Sequence, residues 1–422
     1  MMKTQHRGAY HELPFEQQIE HVKRVGRRAL VKWGYPERAT MTLLNFTENA
    51  TFSVESDGKP TIIMRVHRLD YASEATIRTE LQWIMDLKKE TDVHVADPVP
   101  SESGTYVEEI ETPEYGEKRY VVCFSYLQGA APVDSSDDNK AVGDMIRKID
   151  KIPDPITVPL FKLAAVLYAK VGKLIRKSSM NEMDRRLFRE VGRIAGKIHL
   201  QSKKWSRPAY YERMEWDFEG TFGEEWNNFY GESYRSKEWL SDSDIGVLDR
   251  CVALIKRRLD SYGTSPDRYG MIHSDLRTAN LLQHGDVISV LDFDDCGQGW
   301  YMYEIAGAVA LIEHRPDLDE IIQEIVKGYE SVLPVSQEDR DEIWTFIMMR
   351  RIGMLQSLIS RISCVMPGSG EAAELTPEIL TFYAKGTVIL AQDYLKKYKE
   401  KRLPVPVADP VFTKPSLHHI HK

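Results

Sequence analysis

The chain has 422 residues, 42% hydrophobic and 28% charged, which suits a soluble globular protein with room for two lobes. Its formal net charge of −8 argues against general nucleic-acid binding and mildly favours a cationic small substrate. Cys123, Cys251, Cys296 and Cys364 are scattered without metal-ligand spacing, and Met1 to Gly34 lacks the apolar core of a signal peptide or membrane span, so a cytoplasmic location with reduced thiols is expected.

From Phe15 to about Trp33 the apolar positions Ile19, Val22, Val25, Leu30 and Val31 predict a helix, and residues 1–35 read as an N-terminal extension. Strands follow at Met41–Asn45, Thr51–Glu55 and Thr61–Val66, the last two joined by the turn Ser56-Asp57-Gly58-Lys59. Ser73 is placed to cap a helix over Glu74–Lys89 that carries Ile77, Leu81, Ile84 and Met85. Glu80 falls near the inward side of that helix, and Arg65 alternates inward with Ile63, so the two are placed to meet; His67 and Arg68 compete for the role. A guanidinium held by a carboxylate neutralises phosphate charge without a proton of its own, a purely structural ion pair being the plainer alternative. Further strands are expected at Gly104–Glu108 and Arg119–Leu127, and Gly129-Ala-Ala-Pro132 with the acidic run after it marks a boundary.

Leu160–Lys177 reads as an amphipathic helix whose polar side, Lys162, Lys170, Lys173, Arg176 and Lys177, is wholly basic. Packing on its own domain is one reading; a peripheral membrane or acidic partner is the other. Helices are predicted over Met183–Ser202, ending in Ile198-His199, and from a cap at Ser243 to Tyr262. Between them Trp205–Trp239 is rich in aromatics and acids, Trp216, Trp226, Tyr230, Glu224 and Glu225 among them. Such residues suit either a cradle for a cationic or sugar-like acceptor or an ordinary core.

Met271–Asp295 reads as strand, loop, strand, tight turn, strand. Leu281-Leu282-Gln283 and Val287–Leu291 are short apolar runs, and Gly285 between them suits a hairpin. Paired strands lie about 5 Å apart, so closing that hairpin returns Asn280 beside Asp292. Asp275 enters the same end five residues upstream. Two carboxylates and an amide oxygen suit Mg²⁺ bound with phosphate.

The segments His273-Ser-Asp275-Leu-Arg277-Thr-Ala-Asn280-Leu-Leu282 and Val290-Leu-Asp292-Phe293 resemble the aminoglycoside phosphotransferase and choline kinase branch of the kinase-like superfamily, the phosphotransferase enzyme family. The resemblance implies an α+β, two-lobed protein-kinase-like fold, with an antiparallel sheet and one key helix in residues 36–128 and a mainly helical lobe in 129–402. It implies ATP and Mg²⁺ as cofactors and a small-molecule hydroxyl as acceptor. Asp275 would face that hydroxyl as base, with Arg277 on the transferring group and Asn280 and Asp292 as metal ligands. Arg65 with Glu80 would steady the phosphates, Asn49 would cover them, and backbone groups from Ser125 to Leu127 would take the adenine edge. Asp294 or Asp295 would touch metal-bound water or lie in a solvated turn.

The chain departs from the family in four places. Arg65 stands where many kinases have lysine, the loop at Glu48-Asn49 has no glycine, residues 133–181 form an insertion, and Glu304-Ile305-Ala306 replaces Asp-[LI]-Ala. Helices are expected over Ile305–His314, Leu318–Val332, Glu338–Ser363 and Glu371–Tyr398, before a proline-broken tail at 403–422 whose His418, His419 and His421 read as disordered rather than metal-binding. A protein Ser/Thr kinase of the same branch and a catalytically silent binding module stand as alternatives. The intact base and metal ligands count against the second, and the missing activation-loop and Gly-rich signatures against the first.

Overall fold

Strict alternation along the strand Glu117–Ser125 organises the first lobe of the computed structural model, which describes residues 10, 13–46, 49–69, 72–132, 180–223, 230–231, 233–363 and 377–398. This strand, β7, presents Val121 and Cys123 to one face and Val122 and Phe124 to the other, as a period of two requires. The sheet around it comprises β1 (Thr40–Phe46), β2 (Ala50–Glu55), β3 (Ile62–Val66), β5 (Pro98–Val99) and β6 (Glu108–Thr112). The order is β1-β2-β3-β7-β5, with β6 also on β7, and every pair is antiparallel.

Helix α1 (Phe15–Leu30) covers one face, packing Val22, Val25, Ala29 and Leu30 against Phe52, Val54, Met64 and Val121. Buried Glu117 accepts from His21 at 2.7 Å and from Arg119 Nε at 3.1 Å, which ties the helix to β7. Helix α2 (Glu74–Glu90) covers the other face through Ile77 and Leu81, and Ser73 Oγ caps it by accepting from Thr76 N at 3.0 Å.

The second lobe is built on α3 (Glu182–Ser202), α4 (Phe218–Phe222), α5 (Asp242–Tyr262), α6 (Tyr303–Ala308), α7 (Leu318–Glu330), α8 (Gln337–Ser363) and α9 (Pro377–Tyr398). Helices α3 and α7 cross at backbone contact: a Cβ on Gly192 would fall 1.8 Å from Ile325 O, and one on Gly328 would fall 1.8 Å from Arg189 O. Two small sheets complete the interior. In one, β10 (Leu281–His284) and β11 (Val287–Val290) form a hairpin that pairs in parallel with β4 (His94–Val95). In the other, β12 (Gly297–Trp300) lies between β8 (Glu215–Trp216) and β9 (Tyr269–Ile272).

Three sequence expectations need correction. The strand expected at Gly104–Glu108 begins only at Glu108, because Gly104, at φ 84°, donates to Ser101 O and makes a turn of that stretch. The helix expected over Ile305–His314 stops at Ala308, since Leu311 adopts a left-handed φ of 73° that no helix continues through. The cap of α5 is Ser241 rather than Ser243, in a reciprocal capping box with Asp244. The helix expected from Glu371 starts at Pro377 among the described residues, and the predicted Leu160–Lys177 helix lies outside them.

The glycine crossing generates a stability test. Gly328→Ala should destabilise near the top of the ~1–3 kcal/mol range usual for overpacking, because a carbonyl rather than a yielding side chain blocks it. Gly246→Ala, whose Cβ would meet nothing closer than Arg250 at 3.7 Å, should stabilise by ~0.5–1 kcal/mol. Denaturant unfolding of the two variants checks both; equal effects would refute the close crossing.

Candidate active site

The loop between β9 and β10 is set by backbone closure. Leu291 N donates to Asn280 O at 2.9 Å, so the hairpin brings Asn280 and Asp292 to one end, where Asp275 also enters. His273 Nε2 donates to Leu291 O at 2.8 Å while its Nδ1 accepts from Asp275 N at 3.3 Å, which fixes the ring tautomer and pins the loop. Ser274 then adopts a left-handed φ of 71°, and its Oγ donates to Asp295 O at 2.9 Å. Only a glycine at 307 lets α6 pass: a Cβ there would sit 2.4 Å from Ser274 O.

Behind the loop, buried Glu304 accepts from His273 N at 2.8 Å, and its Oε2 lies 3.2 Å from His199 Nε2. His199 Nδ1 meets Tyr329 Oη at 3.0 Å. Glu304 thus holds the loop backbone despite its extra methylene. His199 is a buried prop for it.

Asp275 is largely enclosed. Its Oδ2 accepts from Arg277 Nε at 3.0 Å and Asn280 Nδ2 at 2.8 Å, and its Oδ1 accepts from Arg350 at 2.6 Å. Burial opposes ionisation, but the charges of Arg350 and Arg277 outweigh it and hold the carboxyl below its usual value. Asn280 Nδ2 also donates to Asp275 O at 2.9 Å, so its Oδ1 is the atom left for a cation.

Asp292, at a left-handed φ of 63°, lies against Asp294. The neighbouring Asp294 charge raises the Asp292 carboxyl well above its usual value. Across the cleft Arg65 donates to Glu80 at 2.6 Å. Burial works against the guanidinium, but Glu80, Asp294 and Asp292 more than offset it and keep it firmly protonated. Asn49 Nδ2 donates to Asp294 Oδ2 at 2.9 Å and its Oδ1 accepts from Arg68 N at 3.1 Å, so this loop position reaches the acidic turn directly. Glu48 lies outside the described residues. Asp294 is therefore engaged by the first lobe rather than solvated.

At the other end of the cleft Ser125 N donates to Asp97 O at 2.8 Å and its Oγ accepts from Asp97 N at 2.9 Å, while Leu127 follows half-buried beyond the strand. The aromatic region resolves mainly as core. Trp216 stacks on Tyr303 at 6.1 Å, and Tyr230 Oη meets Tyr303 Oη at 2.8 Å beneath Arg350. Glu224, Glu225 and Trp226 lie outside the described residues.

Two residues at the site escaped the sequence reading. Arg213 is half-buried with its guanidinium on the carbonyls of Cys296, Asp294, Phe293 and Thr76, which binds α2 to the acidic turn. No local pattern distinguishes it from other arginines. Arg350 did leave a signal, since Met348-Met349-Arg350-Arg351 places charge in the apolar part of a helix.

Among the described residues no three His, Cys, Asp or Glu side chains converge as a ready-made metal cage. The donor set still fits a divalent cation carried in with phosphate: the Asn280 amide oxygen, with no donor to it among the described residues, and the solvent-reached Asp292 carboxyl crowded by Asp294. Hard cations of this kind are commonly held by one or two carboxylates, with phosphate oxygens and water completing the shell.

The model of the family described as "Phosphotransferase enzyme family" matches residues 172–342. A solved structure, the microcompartment-associated aminopropanol kinase, is 31% identical, covers 89% of this chain and 98% of its own, and superposes with a TM-score of 0.68. The chain belongs to the phosphotransferase enzyme family. The amicoumacin kinase of Bacillus subtilis (strain 168) is 24% identical over 393 residues, 89% of this chain and 96% of that one. A solved amicoumacin kinase in complex with AMP-PNP, Ca²⁺ and Ami shares the fold at a TM-score of 0.61 and 20% identity, covering 89% of this chain and 96% of that one. The family fold is protein-kinase-like, of the α+β class, and this member is an ATP-dependent phosphotransferase acting on a small-molecule hydroxyl. No helix among the described residues is long and apolar enough to cross a membrane.

His67 gives the site a measurable pH signature. It is buried, neither ring nitrogen has a partner among the described residues, and burial together with Arg65 and Arg213 pushes its imidazole well below the usual value. The unfolded chain therefore binds a proton that the folded chain refuses. Stability is complete above an unfolded pKa of about 6.5 and falls below it by up to ~1.4 kcal/mol per pH unit. Urea unfolding between pH 7.5 and 5 should show a shallower loss in His67→Gln than in wild type; parallel slopes would refute a neutral buried imidazole.

Proposed function

We propose that the chain transfers the γ-phosphoryl group of ATP, taken as its magnesium complex, to the hydroxyl of a small amino alcohol. The observation that carries the reading is the convergence of Asp275, Asn280 and Asp292 at one end of the hairpin, facing the Arg65–Glu80 pair. Residues 36–128 serve as the nucleotide lobe and 129–402 as the catalytic and acceptor lobe. An amino alcohol is favoured by the aminopropanol kinase at 31% identity and by the acidic net charge. Free buried thiols at Cys123, Cys251 and Cys296 suit a reducing cytoplasm, where ATP is abundant.

The roles follow from the contacts. Asp275, kept ionised by its arginines, orients the acceptor hydroxyl and takes its proton late in transfer. Arg65 keeps Glu80 with one nitrogen while its Nε has no partner among the described residues, leaving a donor for phosphate oxygen. Arg277 is exposed enough to turn towards the transferring group. Asn49 carries the first-lobe loop down onto the acidic turn and shields the phosphates from water. Bound through Asn280 and Asp292, Mg²⁺ would neutralise charge on the phosphates.

Turnover of ATP with 1-amino-2-propanol, choline, hydroxylysine and an aminoglycoside tests the class. Asp275→Asn should lower kcat by on the order of 10²–10⁴ while leaving the KM for ATP unchanged. Full activity in that variant would sink the role of Asp275. Turnover of a non-amino acceptor alone would sink the amino-alcohol assignment and leave phosphoryl transfer standing.

A further inference from the structure

Two arginines hold Asp275, and they differ in kind. Arg277, its side chain 36% exposed, donates Nε to Oδ2 from two residues away in the loop. Arg350, its side chain 5% exposed, donates to Oδ1 at 2.6 Å from the middle of α8. Its guanidinium is enclosed by aromatic faces, 5.8 Å from the Tyr303 ring and 6.0 Å from that of Trp216, with Tyr230 Oη 3.5 Å from Nη1. Its Nε has no partner among the described residues, so the ion pair to Asp275 is its dominant polar tie.

A carboxylate oxygen has two good acceptor directions, and Oδ2 has both filled, by Arg277 and Asn280. An acceptor hydroxyl must displace one of them. Asn280 is anchored by a second bond to Asp275 O, whereas Arg277 reaches solvent. Arg277 is the exchangeable partner and Arg350 the permanent one.

We propose that Arg350 is the positioning residue for phosphoryl transfer: it fixes Asp275 through Oδ1 and remains its counter-charge when Arg277 releases Oδ2 to the acceptor hydroxyl. The step balances. The acceptor oxygen forms its bond to the γ-phosphorus, the bond to the bridging oxygen breaks with its electron pair going to ADP, and the hydroxyl proton passes to Asp275 Oδ2. Arg277, freed from the carboxylate, meets the oxygens of the phosphoryl group in transit. This inference rests on Asp275 facing the acceptor.

Crystal structures of R350M and R277M in the full chain supply an acceptor-independent test. Asp275 should leave its position in R350M and keep it in R277M; an unmoved carboxylate in R350M overturns the proposal. With ATP and 1-amino-2-propanol, or with ATP hydrolysis where no acceptor is turned over, R350M should lose kcat on the order of 10²-fold at an unchanged KM for ATP. R350K, which retains the charge, should recover part of that loss. Placed in D275N, R350M should cost nothing further. Full additivity, or a folded R350M with wild-type kcat, overturns the proposal. Wild-type activity in D275N instead sinks the base assignment itself, whatever R350M does.

Discussion

Burying carboxylates without water is the constraint on which this cleft depends. Glu80 and Asp275 are each removed from solvent, and each such charge is tolerable only beside a fixed cation. The cations come from distant elements: Arg65 from β3, Arg213 from the segment before β8, Arg277 from the catalytic loop and Arg350 from α8. The balance is uneven along the cleft. Asp275 has two arginines on one carboxylate, whereas Asp292 and Asp294 crowd each other and leave Asp292 resisting ionisation. The Asp275 end is rich in positive charge and the Asp292 end is short of it. That gradient suits a reaction in which a cation arrives with the nucleotide and an anionic phosphoryl group moves towards Asp275.

An apolar chain of rings carries the same coupling between lobes. Trp83 of α2 packs edge-on against Phe293 at 5.8 Å, and Phe293 against His273 at 4.6 Å. Trp83 Nε1 also donates to Gln201 at 3.0 Å, and Trp205 Nε1 to Asp86 at 2.8 Å, so α2 is bolted to the second lobe. Ser274 and Asp292 both sit at positive φ, a conformation costing roughly 1–3 kcal/mol each for side chains of this kind. The bonds of Ser274 Oγ and His273 to the turn that Asp292 opens, and the ring stack behind them, are what make that geometry hold.

What the sequence disclosed was mostly local. Asn280 and Asp292 were legible because a hairpin's register fixes where its two ends meet, and Arg65–Glu80 because strand and helix periodicities each point one residue inward. Arg350 reaches Asp275 across 75 positions, and nothing within a window of the chain announces the partner. The rule that buried arginines need carboxylates nevertheless makes Arg350 and Arg351 conspicuous, and Arg351 does find Glu313 at 2.7 Å. The errors share a cause. Thr105, Tyr106 and Val107 favour a strand, and Ile305 to Leu311 is apolar enough for a helix, but a glycine turn in one case and a left-handed leucine in the other override propensity.

Arginine at position 65 belongs to the same electrostatic design. A lysine ammonium is a compact point charge that loses its proton more readily on burial, whereas a guanidinium stays charged and spreads its donors along a planar fork. Arg65 is buried, bonded to Glu80 on one side and under the field of Asp294 and Asp292 on the other. A single ammonium there would have to choose between the carboxylate that positions it and a phosphate. The fork faces both directions at once, with Nη2 committed to Glu80 and Nε without a partner among the described residues. Position 350 poses the same demand at the opposite end, where Nη2 holds Asp275, Nη1 faces Tyr230 and aromatic faces flank the guanidinium. Planar, permanently charged side chains at both ends give the buried carboxylates Glu80 and Asp275 fixed partners inside the protein.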